Sequence, residues 1–494
     1  MKFKNPTIQL LLSNYRGVWA LMYANHLINW DTETYMPVKG IHSRSRVLSD
    51  LNLSIQKQLL DKEFLSILNK AEEANGLNES EKKVLHYLRK SVDQYLKLPP
   101  KFIEEWSQLI AKTSTIWAKA RLKNDYSLFE PYLNKIFALT REKAEYLGYQ
   151  DEVYDAVFDE YEDGMSTKEL LVYFSDLQQF LNKLNIKDHH AGLDLSAYPY
   201  SKVEMIKLNQ KVLRFLGHDP ARFRLDISHH PFSLFLSPHD IRLTTRYPKT
   251  DFATSLLPTI HEFGHGLFAS NVAKELEATP LWPDTSYALH ESQSRYWENI
   301  LGRSMGFIKY FYKDMQKLSK KFKDFSPLDF YAYFNRVKPG LIRVDADEIT
   351  YHYHIIIRFE IERALLNQEI TTKDAPHIWN ELYRKYLGIT PKTDTVGILQ
   401  DIHWAFGSIG YFPTYSLGST LAAIWDERVR SELQLDYSEL NQKEIKAINS
   451  WFKKNIHVYG GMYNLEEISL KVGKKKFSSK SWQRYITQKL KHKL

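Results

Sequence analysis

His261-Glu262-Phe263-Gly264-His265 sets two imidazoles four residues apart. The apolar run Leu256, Leu257, Ile260, Phe263, Leu267 and Phe268 predicts a helix over residues 251–270. Residues four apart on a helix share a face, so the two imidazoles can grip one metal ion. Glu262 is displaced by about 100° around the helix, where it can reach a water on the metal without ligating the metal itself. A third ligand is available in Glu291, which begins a second helical pattern after a stretch long enough for the chain to return. Glu275 and Glu277 compete for that role, but they lie at or just past the end of the first helix, where turning back would be strained. Three protein ligands leave a fourth position for water, which separates a catalytic zinc site from a closed structural one. The chemistry of this set is amide hydrolysis by activated water, with Glu262 as general base and no covalent intermediate.

The elements that must position these groups show in the periodicity. Residues 8–217 are mostly helical in pattern, with helix starts or joints at Asn78-Glu79-Ser80-Glu81, Leu98-Pro99-Pro100 and Ser166-Thr167-Lys168-Glu169. Residues 222–228 and 241–246 then alternate apolar with polar, and a further apolar run ends at Leu236, so two or three strands precede the motif helix. A small antiparallel sheet beside the metal site is expected, with an edge able to hold an extended substrate. Helical patterns resume over 286–303, 328–337, 349–366, 375–387 and 420–433. Irregular segments at 342–347 and 397–415 carry glycines, a proline and clustered polar and aromatic groups, as active-site loops do. Within them His403, Tyr411 and Tyr415 are candidate oxyanion donors, and Arg343 could fork onto a terminal carboxylate, with Arg242 a second candidate. An arginine followed by Asp345 and Asp347 is, however, usually part of an ion-pair network. Gly264 weakens its helix by up to about 1 kcal/mol relative to alanine, so another backbone or the substrate is expected to pack closely there.

The composition limits the alternatives. The chain has 494 residues, 43% of them hydrophobic and 26% charged, with a net charge of +8 and no cysteine. Disulfides and thiolate metal sites are excluded, which fits a cytoplasmic protein. No apolar run approaches the roughly 18 residues needed to span a membrane. Much of the positive excess is C-terminal, at Lys471, Lys474, Lys475, Lys476, Lys480, Arg484, Lys489, Lys491 and Lys493. This reads as a solvated basic end rather than a nucleic-acid site.

Several motifs together resemble the carboxypeptidase Taq family of metallocarboxypeptidases over essentially the whole chain. They are Trp30 to Pro37, His230-Pro231-Phe232, Asp240-Ile241-Arg242-Leu243-Thr244, the pentad at His261 to His265, His290-Glu291-Ser292-Gln293, Ile342 to Asp347, and Gly397 to Trp404. The resemblance implies a mostly α fold: a two-lobed helical zincin, similar to neurolysin and angiotensin-converting enzyme, with a deep substrate groove. Residues 1–494 would then form one catalytic body. It further implies a zinc or cobalt ion on His261, His265 and Glu291, one per chain, with Glu262 as base. Arg343 becomes the leading carboxylate anchor, with His230, Arg242, His403, Tyr411 and Tyr415 in supporting roles. The implied reaction removes single residues from peptides with a free C-terminal carboxylate, with broad side-chain tolerance, in a homodimer that engages no membrane or nucleic acid. The alternative is an oligopeptidase or dipeptidyl carboxypeptidase on the same fold.

Overall fold

A computed structural model describes residues 2–184, 194–228 and 230–491; His229 and Lys493 lie outside the described residues. The chain is mostly helical with one small three-stranded sheet. No helix among the described residues is long and apolar enough to cross a membrane. The predicted joints are local-chemistry effects. Ser166 and Glu169 form a capping box at the start of helix Thr167–Lys183, and Pro100 opens helix Pro100–Lys123, where its missing N–H has no partner to lose. The chain divides into two compact units. The first comprises Met1–Leu96, Asp194–Phe334 and Ile424–Lys476, and the second Lys97–Leu193, Asn335–Ala423 and Phe477–Leu494.

The first unit holds the sheet and the motif helix. Strands β1 (Phe223–Ile227), β2 (Ser233–Ser237) and β3 (Asp240–Thr245) lie in the order β1-β3-β2. The sheet is mixed rather than wholly antiparallel. β2 and β3 form an antiparallel hairpin, and the hairpin's return strand inserts beside β1, to which it runs parallel. Alternation does the rest. Phe223, Ile241 and Leu243 face helix Ala253–Asn271, while Arg224 and Arg242, paired across the register, turn to the other face. There their guanidinium carbons lie 5.0 and 4.7 Å from the ring centroid of buried Trp30. Below the start of the motif helix, Phe252 packs among Phe322, Phe330, Tyr333 and Phe334.

The motif helix touches its neighbours at two glycines. A Cβ on Gly266 would meet Ile241, Phe223 and Leu243 at 2.7–3.2 Å, so the helix rests directly on the sheet. A Cβ on Gly264 would meet the Gln293 carbonyl oxygen at 2.7 Å and the Ser294 Cα at 2.8 Å. Those atoms belong to helix Tyr287–Arg295, which carries Glu291 and continues as a π-helical segment, Tyr296–Leu301. The close backbone packing expected at Gly264 is therefore present, and its partner is the ligand-bearing helix. From the opposite side the indole of fully buried Trp425 donates to Ser292 Oγ at 2.9 Å and fixes the rotation of that helix.

The second unit is built on helix Tyr351–Leu366 and on the segments around it. Trp117 donates to the Leu399 carbonyl, Tyr126 to the Thr372 carbonyl and Tyr173 to the Ser416 carbonyl, so buried polar tips tie irregular backbone to helices. Several lysines of the basic C-terminal run are engaged within their own units. Lys489 pairs with Glu348 at 2.6 Å, Lys475 pairs with Glu427, and Lys471 sits over Tyr463.

The contact at Gly264 makes a direct prediction. Gly264→Ala should cost about 1–3 kcal/mol through forced backbone separation, and it should weaken metal binding because Glu291 moves with the displaced helix. Calorimetry and chelator titration measure the two effects; a variant with unchanged Tm and unchanged metal affinity would remove this contact as the determinant of the site.

Candidate metal-dependent active site

Helix Ala253–Asn271 presents His261 and His265, and helix Tyr287–Arg295 presents Glu291. The three form the metal-ligating group found among the described residues. His261 Nε2 and His265 Nε2 lie 3.2 Å apart, and Glu291 Oε2 lies 3.6 and 3.4 Å from them. Donors held 2.0–2.1 Å from one ion at tetrahedral angles are separated by about 3.3–3.4 Å. The triangle therefore fits a small divalent ion as it stands. Glu275 sits exposed in the turn Lys274–Leu276, and neither it nor Glu277 belongs to this group.

Each ligand is oriented by a neighbour. His261 Nδ1 donates to Glu298 Oε2 at 2.8 Å, which leaves the Nε2 lone pair for the metal. His265 has no hydrogen-bond partner at Nδ1 among the described residues. Its ring is held instead by stacking on His290, with centroids 4.4 Å apart and planes at 20°. His290 in turn packs against Phe235 of β2 and Phe268, and burial pushes its pKa well down, so it stacks as a neutral ring. Glu291 accepts from Arg295 Nε at 2.5 Å and from Ser294 Oγ at 3.0 Å. Burial alone would raise the Glu291 pKa, but Arg295 and the two imidazoles drive it far below the carboxylate range. Glu298 is also buried, yet His261, Arg295 and Arg303 hold its pKa down at about 2. Both carboxylates are thus charged, and a cation is the complement the site favours.

Glu262 follows His261 on the helix and is only 8% exposed. Among the described residues none donates a hydrogen bond to it. A carboxylate held so far from solvent without a donor is costly unless water or a substrate amine supplies one.

The remaining sequence-derived residues fall into two sets. In the first unit, Arg242 is held by Asp240 at 2.9 and 3.0 Å on the sheet face turned toward Trp30, and His230 is exposed just before β2. In the second unit, Arg343, His403, Tyr411 and Tyr415 come together. His403 Nε2 is hydrogen-bonded to the Tyr415 hydroxyl at 3.1 Å, and its ring lies 5.5 Å from that of Tyr411. Arg343 is 5% exposed, and its guanidinium carbon sits 4.9 Å from the Tyr415 ring centroid. It does form an ion pair, though with neither Asp345 nor Asp347. Arg343 donates to Asp401 Oδ1 from Nε at 3.0 Å and from Nη2 at 2.8 Å, and from Nη1 to the Tyr351 hydroxyl at 3.0 Å. Arg358 donates to the other oxygen of Asp401 at 2.7 Å. Burial, then the charge of Arg343, pushes the His403 pKa down to about 3, so its imidazole is neutral.

Reading the sequence alone missed Arg295 and Glu298, although Glu291, Arg295 and Glu298 are spaced to share one helix face. It also missed Arg358 and Asp401 as a pair, for which sequence spacing carries no signal.

Two outcomes follow from this network. Glu298→Gln should weaken metal binding by about 10–100-fold, read by competition with a chelator, with little change in fold. In the metal-free protein, stability held by Glu298 is complete above its ordinary value of 4.5 and is lost as pH falls toward its folded value of about 2. Thermal melts from pH 5 down to about 2 should therefore show a steeper fall for the parent than for Glu298→Gln.

A family model described as carboxypeptidase Taq (M32) metallopeptidase matches residues 11–490. The chain is 37% identical over 493 residues to thermostable carboxypeptidase 1 of Pyrococcus furiosus, covering 99% of each. It is 36% identical over 457 residues to carboxypeptidase 1 of Bacillus subtilis, covering 91% of this chain and 90% of that one. Among solved structures, Pyrococcus furiosus carboxypeptidase in a form described as Apo-Mg matches with a TM-score of 0.94 over 99% of both chains. Trypanosoma cruzi metallocarboxypeptidase 1 matches with a TM-score of 0.91 at 29% identity, over 98% of this chain and 99% of that one.

Proposed function

The chain belongs to the carboxypeptidase Taq (M32) family and is a metallocarboxypeptidase, and from that premise we propose that it removes single C-terminal residues from peptides by zinc-dependent attack of water, with Glu262 as general base. The observation that carries this reading is the tetrahedral donor triangle of His261, His265 and Glu291 with a donor-free Glu262 beside it. Zinc bound there supplies a polarised scissile carbonyl and a water of lowered pKa; cobalt suits the same donors. The Glu262 carboxylate accepts the proton of the attacking water and returns it to the leaving amine. His403, Tyr411 and Tyr415 are assigned as donors to the oxyanion, His403 as a neutral imidazole.

Arg343 is assigned to the substrate's terminal carboxylate. In its support, Arg343 and Arg358 share the carboxylate of Asp401, and of the two guanidiniums only Arg343 keeps any exposure. His230 and Arg242 are assigned to the substrate further from the scissile bond, with β2 as the edge that takes its extended backbone. The reading treats residues 1–494 as one catalytic body, in keeping with a family match over residues 11–490. Broad side-chain tolerance, a homodimer and residence in the cytoplasm complete it on the family resemblance, with the absence of cysteine in keeping with the last.

Mass spectrometry of a peptide mixture tests the reading. Stepwise C-terminal ladders are expected, dipeptide losses or internal cuts would favour the alternative oligopeptidase, and amidated peptides should resist cleavage. Glu262→Gln should keep its metal and lose activity by about 10²–10⁴-fold, and Arg343→Ala should lose most of kcat/KM on free-acid peptides. Undiminished cleavage of amidated peptides would overturn the carboxylate-reading assignment.

A further inference from the structure

Glu362 lies on helix Tyr351–Leu366 and is fully buried. Its hydrogen-bond partners are three donors, none of them a cation. Trp404 Nε1 donates to Oε1 at 2.8 Å; the Tyr154 hydroxyl and the Gly410 amide donate to Oε2 at 2.9 and 3.1 Å. Burial pushes the carboxyl up to about 7 against the pull of those donors and of the Arg358 charge, so a buried acid stands where an apolar residue would cost less. What it holds explains why. Trp404 is the residue after His403, and Gly410 is the residue before Tyr411. Between them the chain turns through Gly407 and Gly410, both with positive φ, and Gly410 is pressed against the Val157 carbonyl, where a Cβ would sit at 3.0 Å. The first part of the turn closes on itself, the Gly407 amide bonding to the Trp404 carbonyl and the Ser408 amide to the His403 carbonyl, both at 3.0 Å; Glu362 ties its two ends together from outside.

We propose that Glu362 is a positioning residue: its two oxygens join Trp404 to Gly410 across the 403–411 turn and thereby set His403 and Tyr411 for the substrate. The proposal rests on the substrate roles given to His403 and Tyr411 above. Carboxylate chemistry makes it specific. A glutamine of the same shape has one acceptor oxygen, and its amide NH₂ must face either the Trp404 N–H or the Gly410 N–H, donor against donor. Tyr154 can rotate its hydroxyl to accept, whereas an indole and a backbone amide cannot. Removing the indole donor relieves the clash, because the glutamine can then turn its oxygen to Tyr154 and Gly410.

The experiment uses full-length, metal-loaded protein with Glu362→Gln in two backgrounds, the parent and Trp404→Phe. In the parent background, hydrogen exchange should accelerate within 403–411 and not elsewhere, kcat should fall about tenfold for one buried unsatisfied donor, KM should move less than about twofold, and metal affinity should hold. In the Trp404→Phe background the same substitution should cost much less in both exchange and kcat. Unchanged exchange in 403–411, acceleration spread over the whole unit, or equal costs in the two backgrounds would each overturn the proposal. Altered exchange with full kcat overturns it as well. His403→Gln and Tyr411→Phe, measured alongside, then locate the error: if both are fully active, the substrate roles given to those residues have failed and the tie has not.

Discussion

Two helices meet backbone to backbone at Gly264, and the metal site depends on that contact. His261 and His265 are fixed on one helix by their own spacing, so the ligand triangle closes only if the helix bearing Glu291 comes close enough for a carboxylate to reach them. A side chain at position 264 would occupy the space of the Gln293 carbonyl and the Ser294 Cα. The glycine thus exchanges helix propensity for proximity. Gly266, two residues on, does the same toward the sheet, where Ile241 and Leu243 are fully buried. The motif helix is held between two surfaces that it touches without intervening side chains of its own, and its imidazoles inherit that rigidity.

Rigidity alone would leave an electrostatic problem, because Glu262, Glu291 and Glu298 are all at most 9% exposed. Buried carboxylates repel one another and resist desolvation, and without compensation they would protonate. Arg295 supplies compensation to two of them at once, donating to Glu291 from Nε and to Glu298 from Nη1. Arg303 adds a second contact to Glu298. Arg295 lies on the same helical stretch as its partners and Arg303 in the turn just after it, so the charge balance is built into one run of chain. Glu262 is outside this arrangement, and none of the described residues donates a hydrogen bond to it.

Legibility in the sequence followed the range of the interactions. The pentad, the helix carrying it and the preceding strands were readable because periodicity of 3.6 or 2 is a local property. Helix Ala375–Leu387 lies where its pattern put it. The glycine at 264 was readable as an anomaly, and the identity of its partner was not. The parallel pairing of β1 with β3 was missed because β3 inserts between its two predecessors, a tertiary choice that alternation does not encode. Arg295 and Glu298 were readable in principle, being four and seven residues after Glu291. The association of Asp401 with Arg343 and Arg358 was beyond reach, since the partners are 58 and 43 residues apart and nothing in their neighbours specifies the approach.

That association bears on which arginine can serve a substrate. Arg358 is fully buried, donates to Asp401 and to the His354 carbonyl, and lies 4.5 Å from the Trp379 ring centroid, so its fork is bound within the protein. Arg343 shares the same carboxylate but is the member that retains some exposure, at 5%, and it borders the Tyr415 and Phe412 rings. A neutral His403 adds no charge, and the buried Glu362 carboxyl, close enough to Arg358 to be stabilised by its charge, offsets the second guanidinium when ionised. Asp401 thus holds both guanidiniums on one carboxylate, Arg343 at Oδ1 and Arg358 at Oδ2, and leaves Arg343 as the one that keeps some exposure.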